Sequence, residues 1–273
     1  MATVAVHPFK EPQSDLLSGT PRAHAIDRWI YVFMAALFIV IVLTGFIPDA
    51  LGKIAAVKAG QRPPFPLVMH VHAVLMGLFL LLLLTQTSLV ATGRTDLHRR
   101  FGPVAMVLVP ALVVVGLILA PTMYHQVWNA AHFGPPPVRQ ALAPVPAQLE
   151  NILLLQIRVG ILFSLFIGMG LQARGRDAGF HKRMMILATA VTLTAAIDRM
   201  GWLPTTHPSS PLASDLYILL AVSPMFAWDL IRNRRVHHAY IVWIAVYVPV
   251  SLALYAAWDT PWWHATARHI MGV

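Results

Sequence analysis

An all-α, polytopic membrane fold of seven transmembrane helices, N-terminus inside and C-terminus outside, is the class this sequence predicts. Three observations carry it. The 273 residues are 58% apolar and only 11% charged, against about 25% charged in an ordinary soluble domain. Long stretches carry no charge at all: Leu67 to Ala91 is 25 residues without Lys, Arg, Asp or Glu, where ~20 suffice to cross the ~30 Å hydrocarbon layer. The basic residues, finally, fall in short turns between such stretches. The formal charge of +9 therefore reads as a set of topology signals and not as a nucleic-acid footprint.

Seven apolar segments follow one another at about 28–49, 66–92, 100–120, 151–173, 182–203, 213–231 and 239–258. Residues 1–27 are polar, contain Pro8, Pro12 and Pro21, and lack an apolar core with a cleavage site. They are expected to be a cytoplasmic segment without a cleaved signal. Lys10, Arg22, Arg28, Arg94, Arg99, Arg100, Arg174, Arg176, Lys182, Arg183, Arg232, Arg234 and Arg235 fall on one side. Lys53, Lys58, Arg62, Arg139 and Arg268 fall on the other, and thirteen against five puts the N-terminus inside. Trp29, Tyr31, Trp228 and Tyr240 lie near the inner boundary and Trp202, Trp258, Trp262 and Trp263 near the outer one, as interface belts do. Residues 121–150, with five prolines from Pro135 to Pro146, read as an outer loop of a length that often covers sites. Residues 259–273 read as an extracytoplasmic tail.

The absence of cysteine removes disulfides, thiolate metal sites, c-type haem attachment and cysteine nucleophiles. The remaining chemistry sits on histidine, methionine and a few intramembrane charges. His70 and His72 open the second segment about 200° apart around the helix, so they serve one site only with distortion. Met76 and Gln86 share the His72 face; Gly77 and Ser88 share that of His70. Arg158 lies about two turns into the fourth segment, and Asp198 and Arg199 about one turn from the outer end of the fifth. Charges so placed are usually paired and turned inward. Asp198 is thus expected to pair with Arg158 or to hydrogen-bond His72, making a polar pocket between the second, fourth and fifth segments in the outer half.

Two ligand sets compete for the histidines. Haem b needs an imidazole nitrogen on each side of the iron; His98 with His181, or His72 with His125 of the outer loop, could supply the pair. Copper suits mixed thioether and imidazole ligands, here Met69, His70, His72, Met76, Met123 and His125. Zinc with an activated water ranks lower, because no HExxH or intrahelical HxxxH is present. A haem-binding redox or respiratory-accessory protein is the first reading, with copper handling and a non-enzymatic transporter or ligand-binding protein using the polar pocket behind it. A retinal protein is excluded, since segment 239–258 has no lysine for a Schiff base. Plainer roles stand beside each: the Asp–Arg pair can fix packing, His70 and His72 can bond water or a loop carbonyl, and His98 and His181 can cap helices at headgroup level. His237, His238, His264 and His269 read as solvated termini.

The turn before the third segment, GRTDLHRRFGPVAM, echoes the one before the fifth, GRDAGFHKRMMILA. These GR…HRRFG and GR…HKRMM turns resemble a set of predicted bacterial inner-membrane proteins of unknown function. Some of those are related to cytochrome oxidase assembly factors or haem-containing membrane proteins. The resemblance spans about His70 to Gly201. It implies an inner-membrane location and haem or respiratory-chain involvement, with quinone or a respiratory complex as partner. It carries over to His98 and His181, and less directly to His72.

Overall fold

A computed structural model describes residues 25–273; nearly all of the predicted segment 1–27, with Lys10 and Arg22, lies outside the described residues. Eleven helices follow in order: α1 (Ile26–Lys58), α2 (Leu67–Ala91), α3 (Thr95–Phe101), α4 (Val104–Phe133), α5 (Pro136–Leu142), α6 (Val145–Ala173), α7 (Ala178–Val191), α8 (Thr194–Ile197), α9 (Leu212–Asn233), α10 (His238–Ala257) and α11 (Pro261–Met271). No strand occurs among the described residues. Six of these helices, α1, α2, α4, α6, α9 and α10, are long and apolar enough to cross a membrane. Their outward faces carry large apolar side chains such as Leu117 (70% exposed) and Val107 (74%), whereas Arg158 and Arg183 are buried. A protein that is apolar outside and charged inside is built for lipid.

The segment predicted as 182–203 departs from its neighbours. It forms the fourteen residues of α7 and, after a break, the four of α8, so it lacks the length of a regular span. Threonine explains the break. Thr189, Thr192 and Thr194 turn their hydroxyls back onto the carbonyls of Met185, Thr189 and Val191, and the last turn closes with i→i+3 bonds, Leu193 N to Ala190 O at 3.0 Å among them. Protein surrounds the broken segment: Ile186 to Val191 are all essentially inaccessible, and α7 forms the centre of the main core.

Two further expectations are corrected. Residues 121–150 are not an open loop, because α4 runs through Pro121 to Phe133 and α5 and the start of α6 fill the rest. Tyr124, Trp128 and His132 stack at i, i+4 and i+8 and hold the turns beyond the proline together, with His132 Nδ1 2.9 Å from the Trp128 carbonyl. Residues 259–273 are likewise no loose tail. Thr260 caps α11, which buries Trp263, Ala267 and Met271.

Polar contacts define two ends of the bundle. At the basic end Asp27 of α1 receives Trp228 and Arg232 of α9, and Asp177 before α7 meets His238 of α10. At the other end Asn151 of α6 binds Asp259 after α10, and Asp198 after α8 meets Ser214 of α9. The α7–α8 segment thus runs from one end to the other. Its approach to α1 depends on Gly45, where a Cβ would stand 2.1 Å from the Ala196 carbonyl oxygen. Gly45→Val should therefore destabilise the bundle by about 1–3 kcal/mol, read as a lowered Tm in detergent; an unchanged Tm would mean that α1 and α8 do not touch.

Candidate functional site

The polar interior is organised by α9. Its buried residues Ser214, Asp215, Ile218, Ala221, Val222, Met225 and Asp229 form one stripe. Asp215 and Asp229 are 14 residues apart, about 40° short of four turns and ~21 Å along the axis. Each meets an arginine from a neighbouring helix. Arg158 donates to both Asp215 oxygens at 2.7 and 2.8 Å and to Ser251 at 3.0 Å, while Tyr247 (2.7 Å) and Tyr255 also donate to that carboxylate. Arg183 donates to Asp229 at 2.7 and 2.6 Å and to the Gly179 carbonyl at 3.0 Å, with Tyr240 on the same carboxylate at 2.5 Å. The hydroxyls all come from one face of α10. This corrects the expected Arg158–Asp198 pair: the partner of Arg158 is Asp215. An acid in the first turn of a helix looks like a solvated end in sequence, yet α6 and α10 bury it here.

Released from Arg158, Asp198 lines a cavity of about 380 Å³ at the end of the bundle opposite the basic one, between α6, α8, α9, α10 and the 198–211 connection. Ser214 donates to Asp198. His207 Nε2 stands 3.5 Å from the same carboxylate and 3.4 Å from the Ser214 hydroxyl. Ile152, Leu203, Tyr217 and Trp258 supply the walls. Tyr217 and Trp258 have their polar tips occupied by the carbonyls of Pro204 and Pro208, at 3.0 and 2.9 Å. The trio contains serine, histidine and aspartate, but in a hydrolytic triad the imidazole lies between the other two and uses both nitrogens. Here one nitrogen faces both partners and the serine proton already goes to the carboxylate, so no nucleophile is activated. Arg199, predicted with this group, turns aside: it bonds Asp49 at 3.3 Å and the Ala195 carbonyl, and covers the Phe46 ring.

A second polar cluster fastens α11. Glu150, 1% exposed, accepts from Tyr124 at 3.1 Å and Arg268 at 3.0 Å and faces His264 Nδ1 at 2.6 Å. Asp259 receives the Asn151 amide and faces His264 Nε2, both at 3.1 Å. The Asn151 amide, and then His264, hold the Asp259 carboxyl below the usual carboxylate range. That linkage stabilises the fold above the ordinary pKa and is lost as the pH falls through the lowered one. His264 is therefore an anchor and not a solvated terminus.

The predicted histidines fall into three places. His70 is exposed beside Phe65, whereas His72 turns inward onto α4, its Cε1 3.9 Å from where a Gly116 Cβ would stand. Its Nδ1 is buried without a partner among the described residues. Gly116 and His125 are nine residues apart on α4, about 13.5 Å, so His72 and His125 do not face one metal. Met76 packs into the main core instead of joining Met69, His70 and His125 around a copper ion. His98 of α3 and His181 of α7 do come together, ring centroids 6.3 Å apart at 71°. His181 Nδ1 lies 2.8 Å from the Gly170 carbonyl, and the Gln86 amide reaches His98 Nδ1 at 2.6 Å with its nitrogen turned toward the ring. Burial, assisted by Arg99, holds the His98 imidazole below its usual pKa, so the ring is neutral at pH 7.

Asp177, His237 and His238 place three possible ligand atoms within 4.8 Å, the one such His and carboxylate group among the described residues. Its atoms are engaged in capping. Asp177 accepts from Phe180 N at 2.8 Å and faces His238 Nε2 at 3.0 Å, and His237 Nδ1 accepts from Ala239 N at 3.1 Å. Nδ1 acceptance leaves the neutral His237 ring with its proton on Nε2, where a metal would need a lone pair. The group joins the starts of α7 and α10.

No family model, curated protein or solved structure matches the chain. Arg158→Met, which strands Asp215, should cost about 3–5 kcal/mol, and Arg158→Met with Asp215→Leu should recover much of that. Thermal unfolding in detergent checks both; equal stability of the single variant and the parent would remove the pair from the packing scheme.

Proposed function

We propose that the chain is an integral membrane protein of seven crossings, N-terminus inside and C-terminus outside, which binds a small molecule in its outer-end cavity as a non-enzymatic ligand-binding or transport protein. The path of α7–α8 between the two ends supports counting it as the seventh crossing, and thirteen basic residues against five support the orientation. A bacterial inner membrane is the setting the turn motifs imply.

The cavity carries the functional reading. Its volume of about 380 Å³ is at the lower end of the range for small-molecule sites, which pair apolar and aromatic walls with a few convergent polar groups. Asp198, Ser214 and His207 are those groups, and their mutual geometry suits recognition better than hydrolysis. A fragment library screened by ligand-observed NMR against the protein in nanodiscs should yield saturable binders. Ala213→Trp, which fills the cavity from its wall, should abolish their binding; no saturable binder, or binders indifferent to the filled cavity, would end this reading.

The meeting of His98 and His181 favours a second reading, a haem-binding redox or respiratory accessory protein. Two imidazoles sharing a metal at roughly 2 Å each bring their ring centroids to roughly 6 Å, and the separation here is 6.3 Å. His181 presents the carbonyl-bonded Nδ1 typical of a metal ligand. For His98 to do likewise, Gln86 must offer its amide oxygen. These two residues would hold the iron, and haem would supply one-electron transfer. Purified protein should then show a Soret band that shifts on dithionite and is lost in His181→Ala; a colourless protein from haem-replete cells would exclude it.

A further inference from the structure

Resting on the cavity reading above, we propose that the ligand of this site is a small organic cation, a protonated amine or quaternary ammonium with an apolar or aromatic body. The inference comes from the charges that line the cavity. Among the described residues Asp198 is the one side chain there with a fixed charge: no lysine, arginine or second acid of theirs contributes to the wall. The buried carboxylates Asp215, Asp229 and Glu150 are met by the guanidinium groups of Arg158, Arg183 and Arg268, whereas Asp198 is exposed at the mouth of the cavity. Among the described residues Asp198 is met by the Ser214 hydroxyl and, at 3.5 Å, by His207. The adjacent Arg199 is drawn off to Asp49 and the Ala195 carbonyl.

An exposed carboxylate at the mouth of a cavity whose wall carries no arginine or lysine attracts a cation, and the attraction weakens as salt is added. The rest of the wall suits the same guest. Trp258 and Tyr217, their polar tips engaged elsewhere, leave aromatic surface that attracts ammonium groups. Ile152, Ile197 and Leu203 can cover an organic substituent. An anion would find no cationic side chain, and a bare metal ion would find a single carboxylate.

Phenethylammonium, 2-phenylethanol and phenylacetate share one body and differ in charge, which separates the inference from the reading beneath it. Isothermal titration of the protein in nanodiscs, with empty nanodiscs subtracted, should give the ammonium at least tenfold tighter binding than the alcohol and the carboxylate the weakest. Asp198→Asn, which keeps an acceptor for Ser214, should bring the ammonium to the level of the alcohol. Gln148→Lys places a cation on the exposed rim without touching Asp198, and should weaken the ammonium while sparing the alcohol. Equal affinities, a tighter carboxylate, or no ammonium binding would overturn the cation while leaving the cavity reading to the uncharged fragments. An empty fragment screen, or fragments indifferent to Ala213→Trp, would remove both.

Discussion

A charge carried into a bilayer must bring its partner with it. Lipid is as apolar as leucine, so burying leucine does little to tell one helix arrangement from another. The buried pairs Arg158–Asp215 and Arg183–Asp229 supply that discrimination. Because Asp215 and Asp229 share a face of α9, that helix is tied to α6 near one end and to α7 near the other. The tyrosines of α10 complete both sites, so rotation of any of these helices would expose an uncompensated charge. Replacing such pairs with apolar residues is often tolerated, which makes their contribution one of register and orientation more than of net stability.

The cavity follows from this arrangement. With Arg158 held by Asp215 and Arg199 held by Asp49, Asp198 is left facing the gap between the end of α8 and the start of α9. The threonine-broken α7–α8 segment ends there, and the 198–211 connection returns over the opening to Leu212. Gly45 belongs to the same construction, since only glycine lets α1 reach the Ala196 carbonyl and support α8 from behind. Asp198 is exposed, whereas the buried acids Asp215, Asp229 and Glu150 each meet an arginine. What singles the place out is that, among the described residues, neither arginine nor lysine lines its wall.

The basic end is chemically distinct. His98 and His181 meet where the two echoed turns pack together, and Asp177, His237 and His238 join the starts of α7 and α10 beside them. The rings of the first pair lie 6.3 Å apart, whereas in the second group Asp177 and His237 cap α7 and α10 and His238 faces Asp177. Histidine count alone would not have separated them; ring contact in one and helix capping in the other do.

Composition and apolar run length determined that this is a helical membrane protein, because hydrophobic length is a property of consecutive residues. The echoed turns likewise marked His98 and His181 as equivalents before any contact was visible, and the depth rule marked Arg158 as interior; it marked Asp198 as well, which the fold leaves exposed. Which acid meets which base was decided only in three dimensions. Asp215 and Asp229 sit in an apolar segment as Asp198 does, but partner choice depends on helix rotation, and α9 could present its acids to α6, α7 or lipid with the same sequence. Prolines misled in the same way: Pro121 reads as a helix end, yet a stack of Tyr124, Trp128 and His132 carries α4 past it. Periodicity along one chain segment is local, whereas pairing between segments is set by packing, and the candidate site belongs to the second kind.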